Sequence, residues 1–158
     1  MKLVGREREL EQLRDVCRQA RDGRGRVIVV SADPGLGKSA LVEEVATELG
    51  AAFSVTWGRA WELADAPAYF PLWPCLKSLG ISFDGRGDEA GAFELWERVL
   101  EALVRAAAER PVMWIVEDLH VADTQTLDLL AFLSQAVRPL PVALIATTRP
   151  HASDAAQK

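Results

Sequence analysis

Cysteine is scarce in this chain, and long apolar runs are missing. Of 158 residues only two, Cys17 and Cys75, are cysteines. Two so widely separated thiols make neither a disulfide framework nor a zinc site. Cys17 falls at an apolar helical position, which reads as a buried thiol in a reducing compartment. No apolar run approaches the roughly 18 residues that a membrane-spanning helix needs. The start, Met1-Lys2-Leu3-Val4-Gly5-Arg6-Glu7, meets charge at once and has no signal-peptide core. Positive charge is not in excess either, since 18 Lys and Arg stand against 23 Asp and Glu for a net charge of −5. A surface that holds nucleic acid or anionic membrane needs clustered cations, so neither is an expected partner of this segment. The expected location is the cytoplasm.

What is present has globular composition, 49% hydrophobic and 26% charged, on a chain of single-domain length. Apolar runs of strand length alternate with amphipathic patterns, which predicts an α/β fold with a parallel sheet covered by helices. Leu10, Leu13, Cys17 and Ala20 recur at helical spacing and predict a first helix over 6–21. Arg26 to Ala32 reads as a strand buried on both faces, because its branched residues do not alternate with polar ones. A helix follows over 38–49 and a second strand over 53–58. The stretch 60–91 is the least legible: Pro67, Pro71 and Pro74 interleave with aromatics, which suggests a loop, a short helix near 72–79 and a surface loop over 82–91. A long helix over 92–109 carries Glu94–Arg98 and Glu101–Arg105 at favourable four-residue spacing. Val112 to Glu117 is a third strand, Asp123 and Thr124 suit the cap of a helix through Val137, and Val142 to Thr148 is a fourth strand. The expected core spans 1–150, with a disordered tail over 151–158.

Two segments carry chemistry. Ala32-Asp33-Pro34-Gly35-Leu36-Gly37-Lys38-Ser39 lies between a strand and a helix. Polyphosphate oxygens need many donors at close range, and a glycine-containing loop running into a helix N-terminus supplies backbone N–H groups and favourable potential together. Pro34, Gly35, Leu36, Gly37, Lys38, Ser39 and Ala40 are therefore the candidate nucleotide contacts. Lys38 is placed to reach the β- and γ-phosphates, and the Ser39 hydroxyl to ligate magnesium. Ala32 stands where a first glycine is usual, and extended backbone at a strand end suits alanine. The second segment, Val112-Met113-Trp114-Ile115-Val116-Glu117-Asp118, delivers two acids to the carboxyl end of a buried strand, where open α/β sheets bind ligands. By position Glu117 is assigned to the metal and Asp118 to an attacking water.

Three segments resemble a known family. Leu3-Val4-Gly5-Arg6-Glu7-Arg8-Glu9 is similar to the N-terminal signature of signal-transduction ATPases with numerous domains, the STAND class of P-loop NTPases related to AAA proteins. Glu117-Asp118-Leu119-His120-Val121-Ala122-Asp123 resembles the second acidic motif of that group, in which Trp often stands where this chain has Val121. Gly58-Arg59-Ala60-Trp61-Glu62 with Ala66-Pro67-Ala68-Tyr69 resembles the ATPase domains of large LuxR-like regulators and of some multidomain cyclases and kinases. The resemblance covers residues 3–150.

It implies a three-layer P-loop fold, ATP or ADP with magnesium as ligands, and Val4, Gly5 and Arg6 beside the adenine and ribose. It further implies that Arg149 acts as a polar sensor near the γ-phosphate, where a cation favours transition-state charge. His120 reads as a packing or hydrogen-bonding residue, Arg59 and Glu62 as a structural pair, and the five tryptophans as core or interface anchors. The family's fifth strand and helical lid are not legible among four strands. Without that fifth strand the segment 26–32 becomes an open sheet edge, an expected site of homo-oligomer or partner contact. The expected activity is slow ATP hydrolysis in a signalling or transcriptional switch. A non-hydrolysing ADP/ATP-binding scaffold and a small-molecule P-loop kinase are the alternatives.

Overall fold

The computed structural model describes residues 6–31, 35, 37–82 and 89–150. Among them are five α-helices and four strands: α1 (Glu7–Arg21), β1 (Arg26–Ser31), α2 (Lys38–Leu49), β2 (Ser54–Arg59), α3 (Trp73–Ser78), α4 (Glu89–Glu109), β3 (Val112–Glu117), α5 (Thr124–Ala136) and β4 (Val142–Thr148). The expected tail, 151–158, lies outside the described residues, as do 83–88 of the expected surface loop.

All strand pairs are parallel, in the order β1-β4-β3-β2. Side chains alternate across a strand, so β3 feeds two cores. Val112, Trp114 and Val116 face the layer of α3, α4 and α5, where they pack with Leu72, Leu103 and Leu129. Met113 and Ile115 face α1 and α2 and pack with Leu13, Cys17, Leu41 and Val45. Three layers result, and β3 and β4 are covered on both sides. Cys17 is fully buried, and its desolvation pushes the thiol pKa from an ordinary 9.0 to about 11.

β1 lies at the open edge expected in the absence of a fifth strand, and is not buried on both faces as its branched run suggests. It pairs only with β4 among the described residues, and Val29 is 53% exposed. A run of valines is thus no proof of two covered faces, because the branched side chains also suit an edge. Two further expectations fail. Neither Glu94–Arg98 nor Glu101–Arg105 closes as an ion pair; Arg98 instead reaches the Ser82 carbonyl at 3.5 Å. The helices themselves are joined better by Arg14 of α1, whose Nε and Nη2 donate to the two oxygens of Glu48 on α2 at 3.0 and 2.9 Å.

The proline- and aromatic-rich segment 60–72 is held by one carboxylate. Asp123 caps α5 by accepting from the Thr126 N–H at 3.0 Å, and the same oxygen accepts from the Tyr69 N–H at 3.1 Å. Tyr69 is buried in a left-handed conformation (φ 61°), and its hydroxyl accepts from Trp96 Nε1 at 3.1 Å. A 3-10 turn over Phe70–Leu72 then lies directly on β2. Gly58 permits that approach, since a Cβ there would strike the Pro71 carbonyl oxygen. Gly58→Ala is expected to cost about 1–3 kcal/mol through overpacking, seen as a lower midpoint of urea unfolding with an unchanged slope.

Candidate functional site

The sheet's carboxyl end brings together residues from three segments. α2 opens at Lys38 behind Gly37, which holds a left-handed backbone (φ 81°) that costs glycine nothing. No side chain caps this helix and its first turn holds no acid. The leading N–H groups of a helix have no partners within it, so the start of α2 is a cluster of backbone donors. Val4, Gly5, Pro34 and Leu36 lie outside the described residues. Gly35 has positive φ (83°) and is exposed. Arg6 precedes α1, pairs with Glu9 at 3.3 Å, and lines a cavity of about 200 Å³ with Ser31 and Leu41 at the β1 edge.

The two acids meet different surroundings. Glu117 is only 4% exposed; its Oε2 accepts from Trp57 Nε1 at 2.8 Å, while Oε1 is buried without a hydrogen-bond partner. A buried lone oxygen of this kind is a strong acceptor waiting for a donor or a cation. Asp118 sits at the turn after β3 in a left-handed conformation (φ 62°), uncommon for a residue with a side chain. Its N–H donates to the Thr147 hydroxyl at 3.0 Å, and its Oδ2 accepts from Arg59 Nε at 3.0 Å.

Arg59 is the cation that gathers this end. Its Nη2 also approaches Ser39 Oγ to 3.5 Å, so one guanidinium stands between the start of α2 and the acid after β3. The hydrogen bond it donates to Asp118, then the charge of Glu117, raise its pKa. The expected Arg59–Glu62 pair does not form. The register explains the choice: Arg59 lies opposite Glu117 across the β2–β3 ladder, which sends its side chain over the strand ends toward Asp118.

Arg149 follows β4, is exposed, and makes no ion pair among the described residues. His120 lies in the 3-10 turn Leu119–Val121 with Nδ1 buried and unpartnered. Burial, then the positive charges of Arg149 and Lys38, lower its pKa. Among the described residues no three His, Cys, Asp or Glu side chains cluster as a metal site. A magnesium ion could draw on Ser39 Oγ and the free Glu117 oxygen only with phosphate oxygens or water completing its shell. The donor set fits that use: hard oxygens, one of them orphaned.

Trp57, Arg59 and Thr147 were not singled out for the site in the sequence. Thr147 could have been found as a polar residue on an apolar strand at the sheet end. Nothing in sequence marks the Trp57 indole, because its role exists only across the strand pair.

Residues 2–145 match the AAA ATPase domain family, and the chain belongs to it. Comparison with curated proteins gives no match. Solved structures with the same fold include Cdc6p from Pyrobaculum aerophilum (TM-score 0.71, 16% identity, 94% of this chain and 40% of that one). Drosophila ORC bound to DNA aligns with a TM-score of 0.66 at 18% identity over 98% of this chain and 40% of that one. The Aeropyrum pernix ORC1 protein in complex with DNA gives 0.61 at 21% identity, over 94% of this chain and 40% of that one. This chain therefore spans about 40% of the length of these structures, and at such identities the likeness is one of fold. No helix among the described residues is long and apolar enough to cross a membrane.

The Trp57–Glu117 bond has a measurable consequence. Trp57→Phe keeps the ring and removes the donor, leaving both Glu117 oxygens buried without a partner. It is expected to destabilise the fold by about 2 kcal/mol, the range for a lost bond to a charged group, and the double variant Trp57→Phe/Glu117→Leu to recover most of it in thermal melts.

Proposed function

We propose that this chain is an ATP-binding switch domain that hydrolyses ATP slowly, within a signalling or transcriptional regulator of the STAND type. The observation that carries the reading is the convergence of Ser39, Glu117, Asp118 and Arg59 at the uncapped start of α2. Membership of the AAA ATPase domain family supports it.

In this reading the N–H groups of Lys38, Ser39 and Ala40, with those of the loop 34–37, bind the phosphates, and the Lys38 ammonium neutralises the β- and γ-oxygens. Ser39 Oγ and Glu117 Oε1 hold magnesium, which supplies Lewis-acid polarisation of the phosphoryl oxygens when bound. Asp118 orients a water toward the γ-phosphate and accepts its proton. To do so it must exchange Arg59 for that water. Val4, Gly5 and Arg6 select the base, and Arg149 reaches the leaving phosphate once the ligand is in place.

A non-hydrolysing nucleotide-binding module is the second reading. The Arg59–Asp118 bond favours it, because an acid already bonded to a guanidinium is a poor base. The open β1 edge, with Val29 exposed, suits an assembly contact in either case. A P-loop kinase is supported less, since two acids after an apolar strand suit water activation.

Titration calorimetry separates the readings. Wild-type protein is expected to bind Mg·ATP and Mg·ADP in preference to GTP, with Lys38→Ala weakening binding by about tenfold or more, the scale of one charge-assisted contact. Phosphate release should be slow in wild type and lost in Asp118→Asn. Tight ADP retention with no phosphate release would support the module, and a phosphorylated acceptor in a metabolite screen the kinase.

A further inference from the structure

Beside the acids, on the outer side of β2, lies a cavity of about 330 Å³ that the nucleotide reading does not use. Its walls are aromatic: Trp57, Trp61, Phe70 and Trp73. Trp61 meets Phe70 edge-on with ring centres 4.5 Å apart, and Phe70 meets Trp73 at 5.3 Å. Trp61 is 53% and Trp73 37% exposed, large apolar area for rings that also pack on one another. The walls are fixed in place. Trp57 Nε1 is bonded to Glu117, Trp73 Nε1 donates to the Ala68 carbonyl at 3.2 Å, and close contact of Gly58 with Pro71 sets the floor. Rigid, exposed aromatic walls around a concave space are the usual make-up of a small-molecule site.

The polarity of the space is one-sided. Both pocket indoles with assigned bonds spend their N–H groups elsewhere, which leaves flat apolar faces. The one charged lining residue is Arg59, half exposed, whose Nε and Nη2 point to Asp118 and Ser39 and whose Nη1 has no partner among the described residues. A ligand here must be flat and apolar over most of its surface and negative at one end. A cation would meet the guanidinium, and a fully polar ligand would strip water from the rings without repayment.

We infer that this cavity is an effector site for a small aromatic carboxylate, whose acid group bonds Arg59 while its rings pack between Trp61 and Trp73. The coupling to nucleotide, though not the binding itself, rests on the function proposed above. Arg59 is shared. When magnesium and phosphate engage Ser39 and Glu117, and Asp118 turns to water, the guanidinium is released toward the cavity. An acid held there in turn keeps Arg59 away from Asp118. Linkage makes the effect reciprocal: nucleotide and aromatic acid favour each other's binding.

The test uses 2-naphthoate as probe, with 2-naphthylmethanol as its neutral and 2-naphthylmethylammonium as its cationic counterpart, titrated calorimetrically into the full chain without nucleotide. Naphthoate is expected to bind one saturable site, about fivefold or more tighter than the alcohol, with the cation weakest. Trp61→Ala, at an exposed position outside the nucleotide contacts, should weaken naphthoate by about tenfold through lost ring packing and leave Mg·ADP affinity unchanged. Arg59→Gln should equalise acid and alcohol. Adding Mg·ADP should tighten naphthoate by about fivefold in wild type and not in Arg59→Gln. Absence of saturable naphthoate binding, equal affinity for all three probes, or preference for the cation would each overturn the assignment. Naphthoate binding in a protein that takes no nucleotide would refute the proposed function and leave the pocket standing, whereas nucleotide binding with no response to naphthoate would do the reverse.

Discussion

The indole of Trp57 donates to Glu117 across the β2–β3 pair, and on that bond depends the presence of a carboxylate at the end of a strand that water does not reach. An unpaired buried acid is costly, and a fully paired one would be inert. Glu117 is between these limits: one oxygen is held, the other is buried without a partner. The held oxygen fixes the rotamer. The free oxygen keeps its acceptor capacity pointed into the end of the sheet, next to the donors of the α2 start. Satisfaction of half the group is what combines rigidity with readiness.

The next residue obeys the opposite rule. Asp118 has left the strand for a left-handed turn, and the backbone strain of that conformation is offset locally. Its N–H finds Thr147 on β4 and its carboxylate finds Arg59 on β2. Three strands thus fix one turn. The bond to Arg59 is largely exposed and therefore modest in strength, so a competing charge at either partner can break it. A strong, buried version would have made a structural brace; a weak one at the surface makes an exchangeable contact between two sites.

Much of this was legible in the sequence, and the reasons for the remainder are physical. Helix positions followed from Leu10, Leu13 and Cys17, and from the Asp123 cap, because periodicity and capping are local. The start of α2 at Lys38 and the acids at the end of β3 were legible too, because each lies within its own strand–turn–helix unit. The open edge at β1 follows from the count of four legible strands, whereas composition alone reads as interior, because Val27 to Val30 look the same at an edge as between two strands. Arg59 was assigned to Glu62, three residues on, when its partner lies across the sheet at Asp118. Trp57 and Thr147 were invisible for the same reason: their partners are set by register and strand order, not by neighbours in sequence. The segment 60–72 was illegible because its backbone obeys no period and is held instead by Asp123, a residue from a different element.

Strand order also decides which residues can communicate. β3, carrying the acids, is interior and covered on both faces, so only its carboxyl end is open to a ligand. β2 is at the edge, with one flank open to the aromatic cavity and the other bonded to β3. Residues 57 and 59 alternate onto one face of β2, the face that meets Glu117 and Asp118, yet both also line the cavity. A change at the cavity therefore has a path two side chains long to the acids, through a hydrogen bond and an ion pair, with no backbone rearrangement required.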